Sequence, residues 1–120
     1  FENGYATILG ERGVTLSGGQ AQRISIARSF IKDSEIYLFD DCFSSLDSDT
    51  EDRILRNLKN NFQKKTLVII SHRVSCVKHA DNIIVLDNGK IIQSGSHNEL
   101  VKNKGYYKDL YLKQNREIND

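Results

Sequence analysis

Proline is absent from the 120 residues, and neither a low-complexity tract nor an internal repeat interrupts them, so nothing marks an internal domain boundary. No run of apolar residues approaches the roughly 18 that crossing a bilayer takes, and no stretch of the 120 residues reads as a signal peptide. The chain opens at Phe1 rather than Met, so the expectation is a cytosolic piece of a longer protein, with no direct membrane insertion by this segment. Excess charge is also lacking. Lys and Arg number 17 against 16 Asp and Glu, net +1 with the signs interspersed, which leaves no basic footprint for nucleic acid. Cys42 and Cys76 are the two cysteines and lack C-x-x-C spacing, which reads as free thiols in a reducing compartment.

What the chain does have begins at LSGGQ, residues 16–20. Two adjacent glycines stand where a helix starts, although each Gly inside a helix costs about 1 kcal/mol relative to Ala. Ser17 lies three residues before Gln20, a capping-box spacing, and Ile24, Ala27, Arg28 and Ile31 follow at helical intervals, predicting a helix over 18–32. Within EIYLFDD, 35–41, Ile36 to Phe39 are apolar without alternation, as in a strand buried on both faces. Ser48 and Glu51 repeat the capping spacing before a helix whose apolar face is Ile54, Leu55, Leu58 and Phe62. TLVIISH, 66–72, reads as a second buried strand, and 73–79 as a short helix. Asn88-Gly89 between two apolar runs predicts a type I′ hairpin. Ser96-x-x-Glu99 opens another helix. Tyr106, Tyr107, Leu110 and Tyr111 supply an apolar face for a last one, and 113–120 reads as a polar tail. Strands and helices alternate through the middle, which gives an α/β class with a mainly parallel sheet.

Two strands end in chemistry: Asp40-Asp41 and Ser71-His72. Ligands of open α/β sheets bind beyond the carboxyl ends of strands, so both pairs are expected at one crevice. One carboxylate can hold Mg²⁺ through water, its neighbour can polarise an attacking water, and a histidine can hydrogen-bond a terminal phosphate. The phosphate cradle is missing: the Gly-Lys pair, Gly89-Lys90, is followed by Ile91 and has Ile84 where the first glycine of a P-loop belongs. A helix start bared by Gly18 and Gly19 can itself attract phosphate, with Ser17 and Gln20 adding side-chain hydrogen bonds. Blander readings stand beside these. LSGGQ alone is a capped helix start, Asp40-Asp41 alone is a solvated strand end, and His72 with Cys76 gives two ligands where a zinc site needs more. The tyrosines at 106–111 are a packing face, His79 and His97 surface or capping residues, and Ser48 and Ser96 helix caps.

Taken in order, LSGGQAQR, IYLFDD, SSLD at 44–47 and a strand ending in His72 resemble the second half of the ATPase domain of ATP-binding-cassette (ABC) transporters, over residues 1 to about 114. GERGVTLSGGQ, 10–20, resembles exporter-type members, in which the segment before the signature touches coupling helices of the transmembrane domain. The resemblance implies the C-terminal half of a P-loop NTPase domain. Residues 1–32 would end a helical subdomain with the signature helix, 33–112 would belong to the core, and 113–120 would be the tail. It implies ATP and Mg²⁺ as cofactors. Leu16, Ser17, Gly18, Gly19 and Gln20 match the signature that contacts the γ-phosphate of ATP on the opposite subunit. Asp40 matches the carboxylate that holds Mg²⁺, Asp47 the aspartate that crosses the dimer interface, and His72 the γ-phosphate-sensing histidine.

Asp41 stands where the family usually has the catalytic glutamate. One methylene less displaces its carboxylate by roughly an ångström, and such a shift can cost about 10²-fold in rate. That departure resembles the degenerate-site subunit of heterodimeric, multidrug-like exporters; a homodimer that uses Asp is the alternative. The partners implied are a second ABC ATPase subunit or domain and the coupling helices, at the cytoplasmic face of the membrane. The Walker A lysine, the adenine-stacking aromatic and the Q-loop glutamine are missing, so the chain by itself is expected to be inactive and, through uncovered sheet edges, to self-associate. Two competing readings are a soluble ABC-type ATPase without membrane partner, against which the GERGVT segment argues, and a non-catalytic module that binds a nucleotide-loaded partner.

Overall fold

The computed structural model describes residues 3–10 and 15–119. Its elements are a 3-10 turn (Gly4–Ala6), α1 (Gly18–Ser29), β1 (Ile36–Asp40), α2 (Ser48–Asn61), β2 (Thr66–Ile70), α3 (Val74–Val77), β3 (Ile83–Asp87), β4 (Lys90–Gly95), α4 (His97–Lys102) and α5 (Tyr106–Asn119). Among the described residues the strands form two two-stranded sheets, β1 with β2 and β3 with β4. The chain divides into two units, one ending at Val68 and the other starting at Ile69. Glu11, Arg12, Gly13 and Val14, the middle of the exporter-like segment, lie outside the described residues.

In the first unit α1 starts as the sequence predicts, with a full capping box: the Gln20 N–H donates to the Ser17 hydroxyl at 3.3 Å, and the Ser17 N–H donates to the Gln20 amide oxygen at 3.0 Å. It stops at Ser29 rather than running to Lys32. The reason is tertiary. The Tyr37 hydroxyl donates to the Lys32 carbonyl at 3.2 Å and accepts from the Ser34 N–H at 3.1 Å, which binds this segment to β1 instead of to another helical turn. Phe30, just past the helix, stacks on Phe62 with ring centres 4.6 Å apart and lies 5.1 Å from Tyr37 and 5.9 Å from Phe39. Such pairs contribute roughly 0.5–1.5 kcal/mol each beyond area burial. With Ile26, Phe43, Leu46, Leu55 and Leu58 they form the core of this unit.

β1 was expected to be buried on both faces and is not. Tyr37 and Phe39 are buried, whereas Ile36 and Leu38 are 64% and 63% exposed. β2 alternates in the same way, with Val68 and Ile70 on the open side. An apolar run records that both faces can be covered, not that both are. The start of α2 also corrects the sequence reading. Its cap is Asp47, whose carboxylate accepts from the Thr50 N–H at 2.9 Å; Ser48 is the first helical residue, and Glu51, expected as the far half of a capping box, is 2% exposed. The rest of α2 agrees, with Leu55 and Leu58 inward and Arg53, Arg56 and Lys59 outward.

In the second unit β3 and β4 pair antiparallel from Ile83↔Gly95 to Asp87↔Lys90, with an irregularity between Val85 and Leu86. The turn is the predicted one: Asn88 and Gly89 both adopt positive φ, 47° and 73°. α4 carries the predicted capping box between Ser96 and Glu99. Val74, Ile83, Leu100 and Tyr107 form the core, with Val77, Val85, Val101, Leu110 and Tyr111 packed on it. Two expectations change here. His97 is half-buried rather than a surface residue, its Nδ1 2.8 Å from the Tyr107 hydroxyl and its ring edge-on to Tyr107 and Tyr111. The polar stretch from Lys113 is not a tail but continues α5 to Asn119. No helix among the described residues is long and apolar enough to cross a membrane.

Candidate functional site

The first turn of α1 carries the signature residues. Ser17 is extended (φ −67°, ψ 159°) and exposed, Gly18 is exposed, and Leu16, Gly19 and Gln20 are half-buried. The helix start therefore faces solvent at Ser17 and Gly18, and the capping box employs the Gln20 N–H and the Ser17 N–H.

The glycines share one face of the helix with Gln22, and that face meets the loop after β1. A Cβ on Gly19 would lie 2.9 Å from the Ser45 carbonyl oxygen; one on Gly18 would lie 3.4 Å from the Ser45 hydroxyl. The bare backbone at Gly19 is thus required first by the chain's own loop, a close approach that only a glycine permits. Gln22 holds that loop in place: its Nε2 donates to the Ser44 hydroxyl at 2.9 Å and its Oε1 accepts from the Ser45 N–H at 2.8 Å. Sequence reasoning missed Gln22. Its helical spacing of three and four from the glycines puts it on their face, but nothing in the sequence names Ser44 and Ser45 as its partners.

Within the loop, Asp40 and Asp41 are exposed at the end of β1. Asp41 takes positive φ, 50°, a conformation that Asp and Asn adopt more readily than other residues with a side chain. The Ser44 hydroxyl donates to the Asp41 carbonyl at 3.4 Å, and the buried Phe43 and Leu46 anchor the loop from below. Asp47 is exposed, and hydrogen bonds from the Thr50 backbone and side chain hold its carboxyl below the usual range, with Arg23 adding a smaller pull. Ser17 to Gln20, Ser44, Ser45 and Asp47 are thus assembled within one unit, on α1 and the loop that runs into α2.

His72 belongs to the second unit and is placed by its own surroundings. Its side chain is exposed, while its carbonyl accepts from Gln114 Nε2 at 2.7 Å. The Gln114 Oε1 accepts from the Val74 N–H at 2.8 Å, and the Arg73 N–H donates to the Ser71 hydroxyl at 3.1 Å. Gln114 falls in the polar stretch that the sequence predicts to be a tail, and no sequence signal marks it.

No group of three or more His, Cys, Asp or Glu among the described residues could enclose a metal ion. The donor set fits Mg²⁺ none the less, since that ion keeps several waters and takes one or two carboxylates plus phosphate oxygens, and Asp40 presents one exposed carboxylate. A depression of about 320 Å³ lies along α2, lined by Asp49, Asp52, Arg53, Arg56, Asn57 and Asn60, and holds none of the site residues.

Comparison with known proteins gives concordant matches. The family described as "ABC transporter" matches residues 2–44. A probable multidrug resistance ABC transporter ATP-binding/permease protein, YheI of Bacillus subtilis, is 47% identical over 112 residues, 93% of this chain and 19% of that protein. The multidrug resistance-like ATP-binding protein MdlA of Buchnera aphidicola is 51% identical over 109 residues, 90% of this chain and 19% of its own length. An ATP-dependent lipid A-core flippase of Legionella pneumophila is 48% identical over 112 residues, again 93% and 19%. Among solved structures, a bacterial Atm1-family ABC exporter with ATP bound superposes with TM-score 0.85 at 39% identity, covering 95% of this chain and 20% of that one. The chain spans about a fifth of the length of the relatives it matches.

Proposed function

Because the chain belongs to the ABC transporter family, we propose that it forms part of the ATP-binding and ATP-hydrolysing domain of an exporter, at the cytoplasmic face of a membrane, which drives substrate export through ATP-dependent dimerisation. The observation that carries this is the exposed start of α1 at Ser17 and Gly18, held by Gln22 against the loop that leads to Asp47. Ser17, Gly18, Gly19 and Gln20 contact the terminal phosphate of ATP bound to the partner subunit, where amide donors and the helix dipole favour negative charge. Leu16 leads into that contact, and Asp47 lies at the same interface.

At the chain's own site the exposed Asp40 carboxylate would hold Mg²⁺ through water, and the ion would supply positive charge to the phosphate oxygens. Asp41 orients the attacking water, and His72 hydrogen-bonds the terminal phosphate. Aspartate in place of glutamate at position 41 keeps this site slow, so the chain is the degenerate-site member of a heterodimer and its signature completes the competent site of its partner. The segment before LSGGQ meets the coupling helices of the transmembrane domain.

The test is ATP-dependent association with a complete partner ATPase domain, measured by sedimentation with and without Mg·ATP. Ser17→Arg places a bulky side chain at the phosphate-facing helix start and abolishes the ATP-dependent component. A variant that associates as well as the parent removes the signature from the interface and, with it, this reading.

A further inference from the structure

The Gln114 side chain is half-buried on α5 and bonds backbone on both sides of Arg73: it donates to the His72 carbonyl at 2.7 Å and accepts from the Val74 N–H at 2.8 Å. A carboxamide has one end of each kind and so satisfies both groups at once. A carboxylate would set a second acceptor against the carbonyl, and an ammonium would leave the N–H unpaired. The helix that carries Gln114 is itself fixed, because Tyr107 is buried in the core and Leu110 and Tyr111 pack on it. Gln114 follows those two residues by four and three positions, on the same helical face. Val74, at the other end of the brace, belongs to the same core. The His72 imidazole is left exposed while the backbone beneath it is tied to the helix.

We propose that Gln114 is the positioning residue for His72: it fixes the chain path through 72–74, so that the imidazole meets the terminal phosphate without the loop having to be ordered first. The proposal rests on the role given to His72 above. It assigns the last helix a part in telling ATP from ADP, since only ATP carries the phosphate that His72 contacts.

The assembled ATPase containing this chain is titrated with Mg·ATP and with Mg·ADP, and backbone amide exchange with deuterium is followed in parallel. Gln114→Met keeps the side-chain length and removes both bonds. It is expected to weaken ATP binding about tenfold while changing ADP binding less than twofold, and to speed exchange at the Val74 N–H. Gln114→Lys retains the donor to the His72 carbonyl and recovers part of the ATP affinity. Tyr107→Phe, on the helix that carries Gln114, loses the hydroxyl that meets His97 of α4, and it leaves the ratio of ATP to ADP affinity unchanged. The proposal is overturned if Gln114→Met lowers both affinities equally, as a merely structural residue would, or lowers neither while His72→Ala selectively weakens ATP. If His72→Ala itself leaves ATP binding intact although Gln114→Met exposes the Val74 N–H, the brace stands, but the role of His72 fails and the proposal falls with it.

Discussion

Gly19 lies so close to the Ser45 carbonyl that a single added methyl decides the stability of the helix start. Gly19→Ala should gain up to about 1 kcal/mol from the better helix propensity of alanine. Against this, the new methyl would stand 2.9 Å from the Ser45 carbonyl oxygen, which is backbone and cannot rotate away. The loop is pinned from one side by Gln22 at 2.8 Å and from the other by the buried Phe43 and Leu46, so relief requires breaking a hydrogen bond or disturbing the core. Overpacking of this kind costs about 1–3 kcal/mol, which outweighs the propensity gain. Gly18→Ala is the internal control: its methyl would meet only the Ser45 side chain, at 3.4–3.5 Å, so the propensity gain survives. Equilibrium urea unfolding, followed by tyrosine emission because the chain contains no tryptophan, should therefore rank Gly18→Ala above the parent and Gly19→Ala below it. The mechanism also predicts coupling. In a Gly19→Ala, Gln22→Met double variant the unpinned loop can retreat, so the two losses add to less than their sum by about 0.5 kcal/mol or more. If Gly19→Ala proves as stable as Gly18→Ala, the Ser45 carbonyl is not what requires a glycine at position 19.

Other perturbations have signed outcomes. If Asp41 orients the attacking water as proposed, Asp41→Glu, which moves the carboxylate roughly an ångström further out, should raise single-turnover hydrolysis in the assembled protein by up to about 10²-fold; a rate no higher than the parent's would refute that role. Burial, followed by the nearby Lys78 and His79, pushes the His97 imidazole below its ordinary value. The unfolded chain then takes up a proton near pH 6.5 that the folded chain still refuses, so stability is full above that pH and declines as pH falls through it. Burial pushes the Tyr107 phenol up to about 12, so stability is full below about pH 10 and is lost as pH rises from there towards 12. Urea midpoints across both windows check these signs, and a midpoint that rises below pH 6.5 contradicts the first.

The elements that sequence reading placed well are those closed by local hydrogen bonds. The Ser17–Gln20 and Ser96–Glu99 capping boxes and the Asn88-Gly89 turn each bind partners within three residues, so the spacing alone specifies them. The start of α2 shows the limit of such rules. Ser48-x-x-Glu51 fits a capping box, yet Asp47 three residues before Thr50 fits the simpler cap, and the choice went to Asp47 once Glu51 was drawn into the interior. The open faces of β1 and β2 are a second case, since an unbroken apolar run looks the same whether one side or both is covered.

The order of the chemistry is written in the residues alone: a glycine-bared helix start, an aspartate pair at the end of an apolar strand, an aspartate at the next helix and a histidine after the next strand. That order carried the family. What holds these groups in place emerges only from the folded chain. Gln22 reaches Ser44 and Ser45 across 22 and 23 positions, and Gln114 reaches Val74 and His72 across 40 and 42. The physical reason is one of range. A local hydrogen bond is fixed by helix or turn geometry and leaves a period in the sequence, whereas a glutamine's distant partner depends on which elements pack side by side and leaves none.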